Sequence, residues 1–189
     1  RGGGIFAPPA TLSRESVDPL RRLFAPLDVA ADPLLLDLGA LMAAAQLLGA
    51  AEAMLEIAVV YARSRRQFGQ PIGAFQAVKH HLASVAMRIE FARPVLLRAA
   101  QARQDGLPSA ALHISHAKLA AGDAAISAAE TAIQVHGAMG YTYEVDLHFW
   151  MKRGWALQGA WGDRNFHLRR VQSAVIDADM PIGPAHTFA

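Results

Sequence analysis

The feature that most constrains this fold is a row of apolar residues that repeats with helical spacing over about 30 positions. The row consists of Leu34, Leu38, Leu41, Ala45, Leu48, Leu55 and Val59. It starts directly after Asp32-Pro33, which pairs a capping residue with proline at the first helical position. The spacing therefore predicts one long helix that begins at Pro33 and ends near Ser64.

Two more long helices and two shorter ones are predicted further along the chain. The long ones cover about 74–104 and 109–135, and the shorter ones about 145–157 and 163–177. Long helices joined by short connections pack as antiparallel neighbours. The predicted fold class is therefore all-α, an up-down four-helix bundle with a short extra C-terminal helix.

The first 31 residues are predicted to lie outside this bundle. They are rich in Gly and Pro with short apolar pieces, as in "IFAPPATL". Such a stretch favours loop with one or two strands, too few to close a sheet. Residues 32–189 then form the helical domain.

The composition indicates a chain that buries apolar surface against something besides itself. Hydrophobic residues make up 53% of the chain and charged residues 18%; the usual apolar share, with glycine included, is about 45–50%. The net charge is +2 and the basic residues are dispersed, which argues against nucleic-acid binding. The uncharged run 38–51 is too short to span a bilayer, so no membrane span is predicted. The absence of cysteine fits a reducing cytoplasm.

Residues 61–76, "YARSRRQFGQPIGAFQ", interrupt the apolar helices with three arginines, an aromatic and a turn. Arginines at a helix C-terminus are stabilised by the helix dipole, but this explains only their charge. A guanidinium group suits phosphate, an aromatic ring can cover a planar ligand, and amide side chains such as Gln67 and Gln76 can read its edge. The stretch therefore indicates a site for a phosphate-bearing ligand with a planar ring.

A second stretch, "IQVHGAMGYTYEVD", ends the third helix in a glycine turn that allows close backbone approach, with Gln134 just before it. A helix cap alone would explain Gly137. Other site types find less support. His113 and His116 share a helix face, but no nearby carboxylate completes a metal site, so no metal is predicted. The chain has no Gly-x-Ser-x-Gly elbow and no phosphate loop.

In this order, the two stretches resemble the signature motifs of the C-terminal domain of acyl-CoA dehydrogenases. In that family, Arg-x-x-Phe-Gly-x-Pro-Ile-x-x-Phe-Gln opens the second long helix, and Gln-x-His-Gly-Gly-x-Gly-Tyr/Phe-Thr-x-Glu closes the third. Here the first motif runs from Arg65 to Gln76 and the second from Gln134 to Glu144. Motif spacing and helix order match over about 32–175, which is most of the chain.

The resemblance implies that this helix junction reaches across a subunit interface to the adenine dinucleotide half of an FAD shared with a partner chain. Arg65 would meet the pyrophosphate. The other implied cofactor contacts are Gln67, Phe68, Phe75, Gln76, Gln134, Val135, His136, Gly137 and Ala138. At Ala138 the family usually has a second glycine, and the methyl group could crowd the cofactor.

The resemblance also implies a reaction, the α,β-dehydrogenation of an acyl-CoA thioester. Related enzymes remove the α-proton with a Glu while hydride passes from the β-carbon to the flavin. The two positions at which the family carries this base correspond to Trp161 and Gly39, and neither residue can take a proton. No catalytic base is therefore expected here. Asp37 and Asp163 are near substitutes, but Asp37 is predicted on another helix face and Asp163 as the N-cap of the last helix.

Family members also carry an N-terminal helical domain and a middle β-barrel. Residues 1–31 are thus a linker or the remnant of a preceding β-domain, and the chain is either a short gene product or part of a longer one. The resemblance implies a homo- or hetero-oligomer with an acyl-CoA dehydrogenase-like chain, a dimer or dimer of dimers that takes acyl-CoA as the assembled complex. Some bacterial members pair two unlike chains, one of which has lost the base, and this chain resembles that one.

Two classes of function stay open. One is a cytoplasmic acyl-CoA dehydrogenase subunit or domain, acting in fatty acid or lipid metabolism, that contributes FAD contacts. The other is a non-catalytic helical scaffold that has lost cofactor binding. Retained Arg65 and Gln134 favour the first, and Ala138 favours the second.

Overall fold

The computed structural model describes residues 13–21, 23–24, 32–178, 180–181 and 183, and these form an all-α bundle. Its helices are α1 (Pro33–Ser64), α2 (Gln76–Gln104), α3 (Ala110–His136), α4 (Leu147–Gly159) and α5 (Arg164–Gln172). Short 3₁₀ turns at Ile72–Ala74 and Gly137–Tyr141 precede α2 and follow α3, and a π-turn at Ser173–Asp177 follows α5. The predicted fold class is confirmed.

Two small antiparallel hairpins complete the described structure. Strand β1 (Ser13–Arg14) pairs with β2 (Leu23–Phe24), and β3 (Arg66–Gln67) pairs with β4 (Gln70–Pro71). The second hairpin connects α1 to α2 and carries the first sequence motif.

The start of α1 is where the sequence predicts it. The Asp32 carboxylate accepts a hydrogen bond from the Leu34 backbone N–H at 2.8 Å, and Pro33 occupies the first helical position. This cap satisfies one of the N–H groups that the first helical turn leaves without a partner.

Alanines dominate the core. Helix α1 packs most extensively against α3, although α2 lies between them in sequence. Both facing surfaces are made mainly of alanine, and small side chains allow two helix axes to approach closely. Leu47 and Met54 on α1 and Ile114 on α3 supply the larger fully buried side chains.

The apolar row that predicts α1 lies beside its most buried face. The deepest residues of α1 are Ala40, Ala43, Ala44, Leu47, Leu48, Ala50, Ala51, Met54, Ala58 and Ala62. In contrast, Leu34 and Leu38 are 52% and 43% exposed. Because α1 is apolar on more than one side, periodicity identifies the helix without identifying its buried face.

Within the described residues, α1 alone is long and apolar enough to cross a membrane by length and composition. Core helices of soluble proteins have the same properties, so this is weak evidence for a span. In the bundle, α1 packs against α2, α3 and α4. The sequence prediction that no membrane span is present stays a prediction.

Part of the N-terminal segment docks on the outside of α4. Asp18 is buried and forms an ion pair with Arg153, while the Arg21 guanidinium donates to the Ala156 carbonyl at 2.8 Å. Residues 1–12, 22 and 25–31 lie outside the described structure. The domain boundary after residue 31 therefore stays a prediction.

Candidate functional site

The first motif folds into a tight hairpin at the end of α1. The Arg65 N–H donates to the Tyr61 carbonyl at 2.8 Å, and the chain then turns back through β3 and β4. The two turn residues, Phe68 and Gly69, have φ of 51° and 81°. Positive φ at both central positions is typical of the turn that matches the twist of a two-residue hairpin.

This turn holds Phe68 away from the protein. Phe68 is 91% exposed, and among the described residues its ring contacts that of Phe75 alone, in an edge contact with ring centroids 6.2 Å apart. Arg66 stabilises the turn by donating to the Gly69 carbonyl at 2.9 Å. A large apolar ring and a left-handed backbone at a non-glycine residue both cost free energy. Both costs favour a role for Phe68 in contacting another molecule.

The polar residues of the motif are also exposed. Arg65, Gln67 and Gln76 all lie on the surface. Gln67 donates to the Arg66 carbonyl at 2.8 Å. No carboxylate in the described part of the chain forms an ion pair with Arg65, so its charge is available to a ligand.

The second motif ends α3 beside the same hairpin. The His136 ring is buried, donates from Nδ1 to the Ala132 carbonyl at 2.7 Å, and stacks on Tyr61 with centroids 4.2 Å apart. This stack joins the C-terminal ends of α1 and α3. The two motifs therefore lie at the same end of the bundle.

The glycine turn after His136 uses two glycines for different reasons. Gly137 has φ of 59° and open space around the position of a Cβ, so the backbone conformation demands it. A Cβ on Gly140 would lie 3.1 Å from the Ile133 Cα and carbonyl O, so packing favours glycine there. Gln134 and Ala138 are exposed, whereas Val135 packs partly against the core.

A groove of about 560 Å³ opens beside the stacked rings. Tyr61, His136 and Trp150 form aromatic parts of its wall, and Glu56 contributes a carboxylate. Since His136 donates through Nδ1, its Nε2 is an acceptor when the ring is neutral. The His136 side chain thus borders this groove, while the backbone after it is exposed.

At the other end of α1, the two candidate base positions touch each other. Trp161, in the loop between α4 and α5, lays its indole against Gly39. A Cβ on Gly39 would lie 2.2 Å from the indole Cδ2, far inside any real contact distance. Gly39 is therefore required by Trp161, and the indole fills the space that a side chain on Gly39 would occupy.

The backbone of this loop is unusual. Trp161 has φ of 58° and Gly162 has φ of 94°. A Cβ on Gly162 would lie 2.5 Å from Phe166 and 2.8 Å from His167 Nε2. The left-handed conformation is strained for tryptophan and must be held by surrounding contacts.

Both nearby aspartates are already engaged. The Asp37 carboxylate accepts from the Arg170 guanidinium at 2.6 Å, which ties α1 to α5. The Asp163 carboxylate accepts from the Phe166 N–H at 2.7 Å and caps α5, as the sequence predicts. Both carboxylates therefore have structural roles, Asp37 in linking α1 to α5 and Asp163 in capping α5.

Three buried polar residues lie beneath the loop. Lys118 donates from Nζ to the Gln158 carbonyl at 2.9 Å and to the Gly162 carbonyl at 3.3 Å. His167 donates from Nε2 to the Trp161 carbonyl at 3.0 Å, and its Nδ1 lies 3.1 Å from the Ser115 hydroxyl. Burial lowers the pKa of Lys118 to about 8, partly opposed by Asp163. Burial also lowers the pKa of His167, which its bond to the Trp161 carbonyl partly opposes.

Sequence reasoning did not single out Lys118, His167 or Ser115. A signal existed for Lys118, the one basic residue inside the alanine-rich stretch "AKLAAGDAAISAA" of α3. A lysine at a core-facing position needs buried acceptors. The sequence does not show that these acceptors come from a loop more than forty residues away.

Comparison with known proteins decides the family. The family model for the C-terminal domain of acyl-CoA dehydrogenases matches residues 30–176. The chain belongs to the acyl-CoA dehydrogenase family. Acyl-CoA dehydrogenase IpdE2 of Mycobacterium tuberculosis is 37% identical over 165 residues, which cover 85% of this chain and 50% of that protein.

Solved structures of family members agree with this assignment. The butyryl-CoA dehydrogenase of Megasphaera elsdenii superposes with a TM-score of 0.78 at 29% identity, over 87% of this chain and 48% of that one. The Tcur3481-Tcur3483 steroid ACAD, in its G363A variant, superposes with a TM-score of 0.82 at 28% identity, over 89% and 48%. The chain thus spans about half the length of these acyl-CoA dehydrogenases.

Proposed function

We propose that this chain is an acyl-CoA dehydrogenase-like subunit or domain that contributes FAD contacts across a subunit interface. The assembled complex would carry out the α,β-dehydrogenation of an acyl-CoA thioester, and this chain would supply no catalytic base. The observation that carries the proposed FAD contacts is the surface at one end of the bundle, which Arg65, Phe68 and the glycine turn form.

This surface fits the adenine dinucleotide half of FAD. The Arg65 guanidinium is exposed and can pair with a pyrophosphate. Phe68 offers an exposed ring face, and Gln67, Gln76 and Gln134 offer exposed amides. Phe75, Val135, Gly137 and Ala138 complete the proposed wall, and His136 supports it from beneath through its stack on Tyr61. When bound, FAD would accept the hydride removed from the substrate.

The distance along α1 supports sharing of the cofactor between chains. From Gly39 to Tyr61 the helix rises by about 33 Å, roughly the diameter of a small domain. The hairpin of one chain and the base positions of the same chain therefore serve different sites. A second chain must complete each of them, which makes an oligomer part of the proposal.

The contact between Trp161 and Gly39 supports the absence of a base. Neither side chain can accept a proton, and the indole fills the space between the two positions. Asp37 and Asp163 are held by Arg170 and by the start of α5. These residues offer no free base, so in this proposal proton removal falls to another chain.

The assembly partner is proposed to be an acyl-CoA dehydrogenase-like chain, either a second copy or an unlike homologue. The match to the Tcur3481-Tcur3483 steroid ACAD, whose name joins two designations, supports an unlike partner. Exposed apolar residues on α1 provide a surface that a partner chain can cover. Among them are Leu34, Leu35, Leu38 and Met42.

A scaffold that has lost the cofactor is the second candidate. Ala138, in place of the glycine that the family pattern has, favours it. The exposed Phe68 counts against it, and so does the exposed charge of Arg65, which forms no ion pair with the described residues. A pure scaffold gains nothing from either.

An Arg65→Ala change should weaken FAD binding by the assembled complex. Loss of a hydrogen bond to a charged group costs about 1.5–3 kcal/mol, which corresponds to roughly a 10- to 150-fold rise in the FAD dissociation constant. The measurement is equilibrium titration of the apo-complex with FAD.

Arg63→Ala is the matched control, because Arg63 has the same charge and exposure one half-turn earlier on α1. It should leave FAD affinity within twofold of the wild type. Equal affinity of wild-type and Arg65→Ala complexes would favour the scaffold function instead.

A further inference from the structure

Two buried side chains support the end of α4 and the α4–α5 loop from beneath through backbone carbonyls. The carbonyls of Gln158, Trp161 and Gly162 accept hydrogen bonds from Lys118 Nζ and His167 Nε2. Lys118 is 4% exposed and His167 is fully buried. Both donors thus lie inside the protein, beneath the residue whose indole covers Gly39.

Part of this arrangement is an ordinary helix cap. The Gln158 carbonyl belongs to the last turn of α4, whose carbonyls lack intrahelical partners, and a lysine there is favourable. A cap does not explain the bonds to Trp161 and Gly162, which lie beyond the end of the helix. Nor does a cap explain why Lys118 is buried. Lys118 has no carboxylate partner among the described ion pairs, and a buried cation is costly unless all its donors are satisfied.

The loop needs external support because of its own geometry. Trp161 and Gly162 both adopt left-handed φ values, and such strain at a tryptophan persists only where surrounding contacts impose it. Trp161 is 49% exposed, so burial of its side chain supplies only part of the free energy that maintains the strained backbone. The bonds to the Trp161 and Gly162 carbonyls fix the Trp161–Gly162 and Gly162–Asp163 peptide planes, which lie on the two sides of the Gly162 Cα.

His167 is itself oriented by a second contact. Because Nε2 donates to the Trp161 carbonyl, Nδ1 of the neutral ring is an acceptor facing the Ser115 hydroxyl at 3.1 Å. Ser115 thus contacts the ring from α3, where its one hydroxyl hydrogen is shared between His167 Nδ1 and the Ala111 carbonyl at 3.0 Å, while Lys118 acts from the next turn of the same helix. One helix thus controls the loop through two residues.

We propose that Lys118 and His167 are positioning residues that hold the α4–α5 loop so that Trp161 stays over Gly39 and keeps the base position closed. The proposal rests on the proposed function in one respect: that Gly39 and Trp161 stand where relatives carry the base. The positioning of this loop by Lys118 and His167 does not depend on flavin or substrate and is tested without them.

The test is ¹⁹F NMR of the full chain labelled with 5-fluorotryptophan, with the Trp161 resonance assigned through Trp161→Phe. Gly39→Ala is the positive control, because its methyl carbon would lie within the indole and must displace it. Lys118→Met keeps the side-chain length without donors, and His167→Leu removes the ring donor. Each should move the Trp161 resonance at least halfway to its position in Gly39→Ala.

Three further variants separate positioning from general stability. His167→Gln keeps a donor near the position of Nε2 and should restore the wild-type resonance. Arg164→Ala breaks a neighbouring exposed ion pair with Asp123 and should leave the resonance unmoved. Leu47→Ala, which weakens the core about two turns along α1 from Gly39, should also leave it unmoved.

A Trp161 resonance that stays at its wild-type position in both Lys118→Met and His167→Leu, while Gly39→Ala moves it, would overturn the proposal. If Lys118→Met does not fold, Lys118→Leu, which is shorter and also has no donor, is read by the same criterion. An assembled complex that neither binds FAD nor turns over acyl-CoA would contradict the proposed function without affecting this result. The two proposals can therefore fail separately.

Discussion

Supplied with FAD, a panel of acyl-CoA thioesters and an artificial electron acceptor, this chain without a partner is expected to show no acyl-CoA oxidation above background. Proton removal next to a thioester needs a base within hydrogen-bond reach, and a positioned base typically contributes 10²–10⁴-fold. Trp161 and Gly39 occupy the two candidate positions and block each other. Turnover is expected only after a homologous chain that carries a base is added.

Robust turnover by this chain without a partner would contradict that expectation and would point to Asp37 or Asp163 as the base. The two are then separated by Asp37→Asn and Asp163→Asn. Asp37→Asn would also weaken the bond to Arg170, and Asp163→Asn would retain a side-chain cap on α5. Asp123→Asn is the control, because the Asp123 carboxylate pairs with Arg164 on the surface. It should not affect the turnover rate.

A Leu47→Ala change should lower the free energy of unfolding of the helical domain by about 2–5 kcal/mol. Leu47 is fully buried between α1 and the rest of the bundle. The buried cluster that contains Leu47 is largely alanine, and alanine side chains cannot extend to fill the cavity, so the loss should lie in the upper part of that range. Chemical denaturation followed by circular dichroism measures it.

Leu38→Ala is the matched control on the same helix. Leu38 is 43% exposed, and surface substitutions usually change stability by no more than about 0.5 kcal/mol. Equal losses at both positions would mean that the leucine row, rather than the alanine face, forms the core. The assignment of the buried side of α1 would then be wrong.

The sequence predicts the helices well because their boundaries are local. Asp32 and Pro33 start α1, the glycines after His136 end α3, and Asp163 caps α5, each through contacts within a few residues. The buried face of α1 could not be predicted in the same way. Helix α1 is apolar on several sides, and only the packing of α3 shows that the alanines lie inside.

The candidate site likewise has one part that the sequence predicts and another that it does not. The two motifs are visible in sequence because each is a continuous stretch, and their meeting at one end of the bundle follows from helices α1 and α3 running in the same direction. The support of Trp161 by Lys118 and His167 is not visible, because it joins α3, the end of α4 and α5. The contact of Trp161 with Gly39 likewise depends on how a loop folds back over a distant helix.

The measurement that tests the shared cofactor most directly is sedimentation velocity of the chain with FAD, followed at both the protein and the flavin absorption bands. It is made over a range of protein concentrations, with and without a homologous partner chain. Since the proposed function assigns the hairpin and the base positions of one chain to different sites, flavin is expected to sediment only with dimers or larger assemblies. Flavin that sediments with a monomer, or a stable assembly that carries none, would contradict the account.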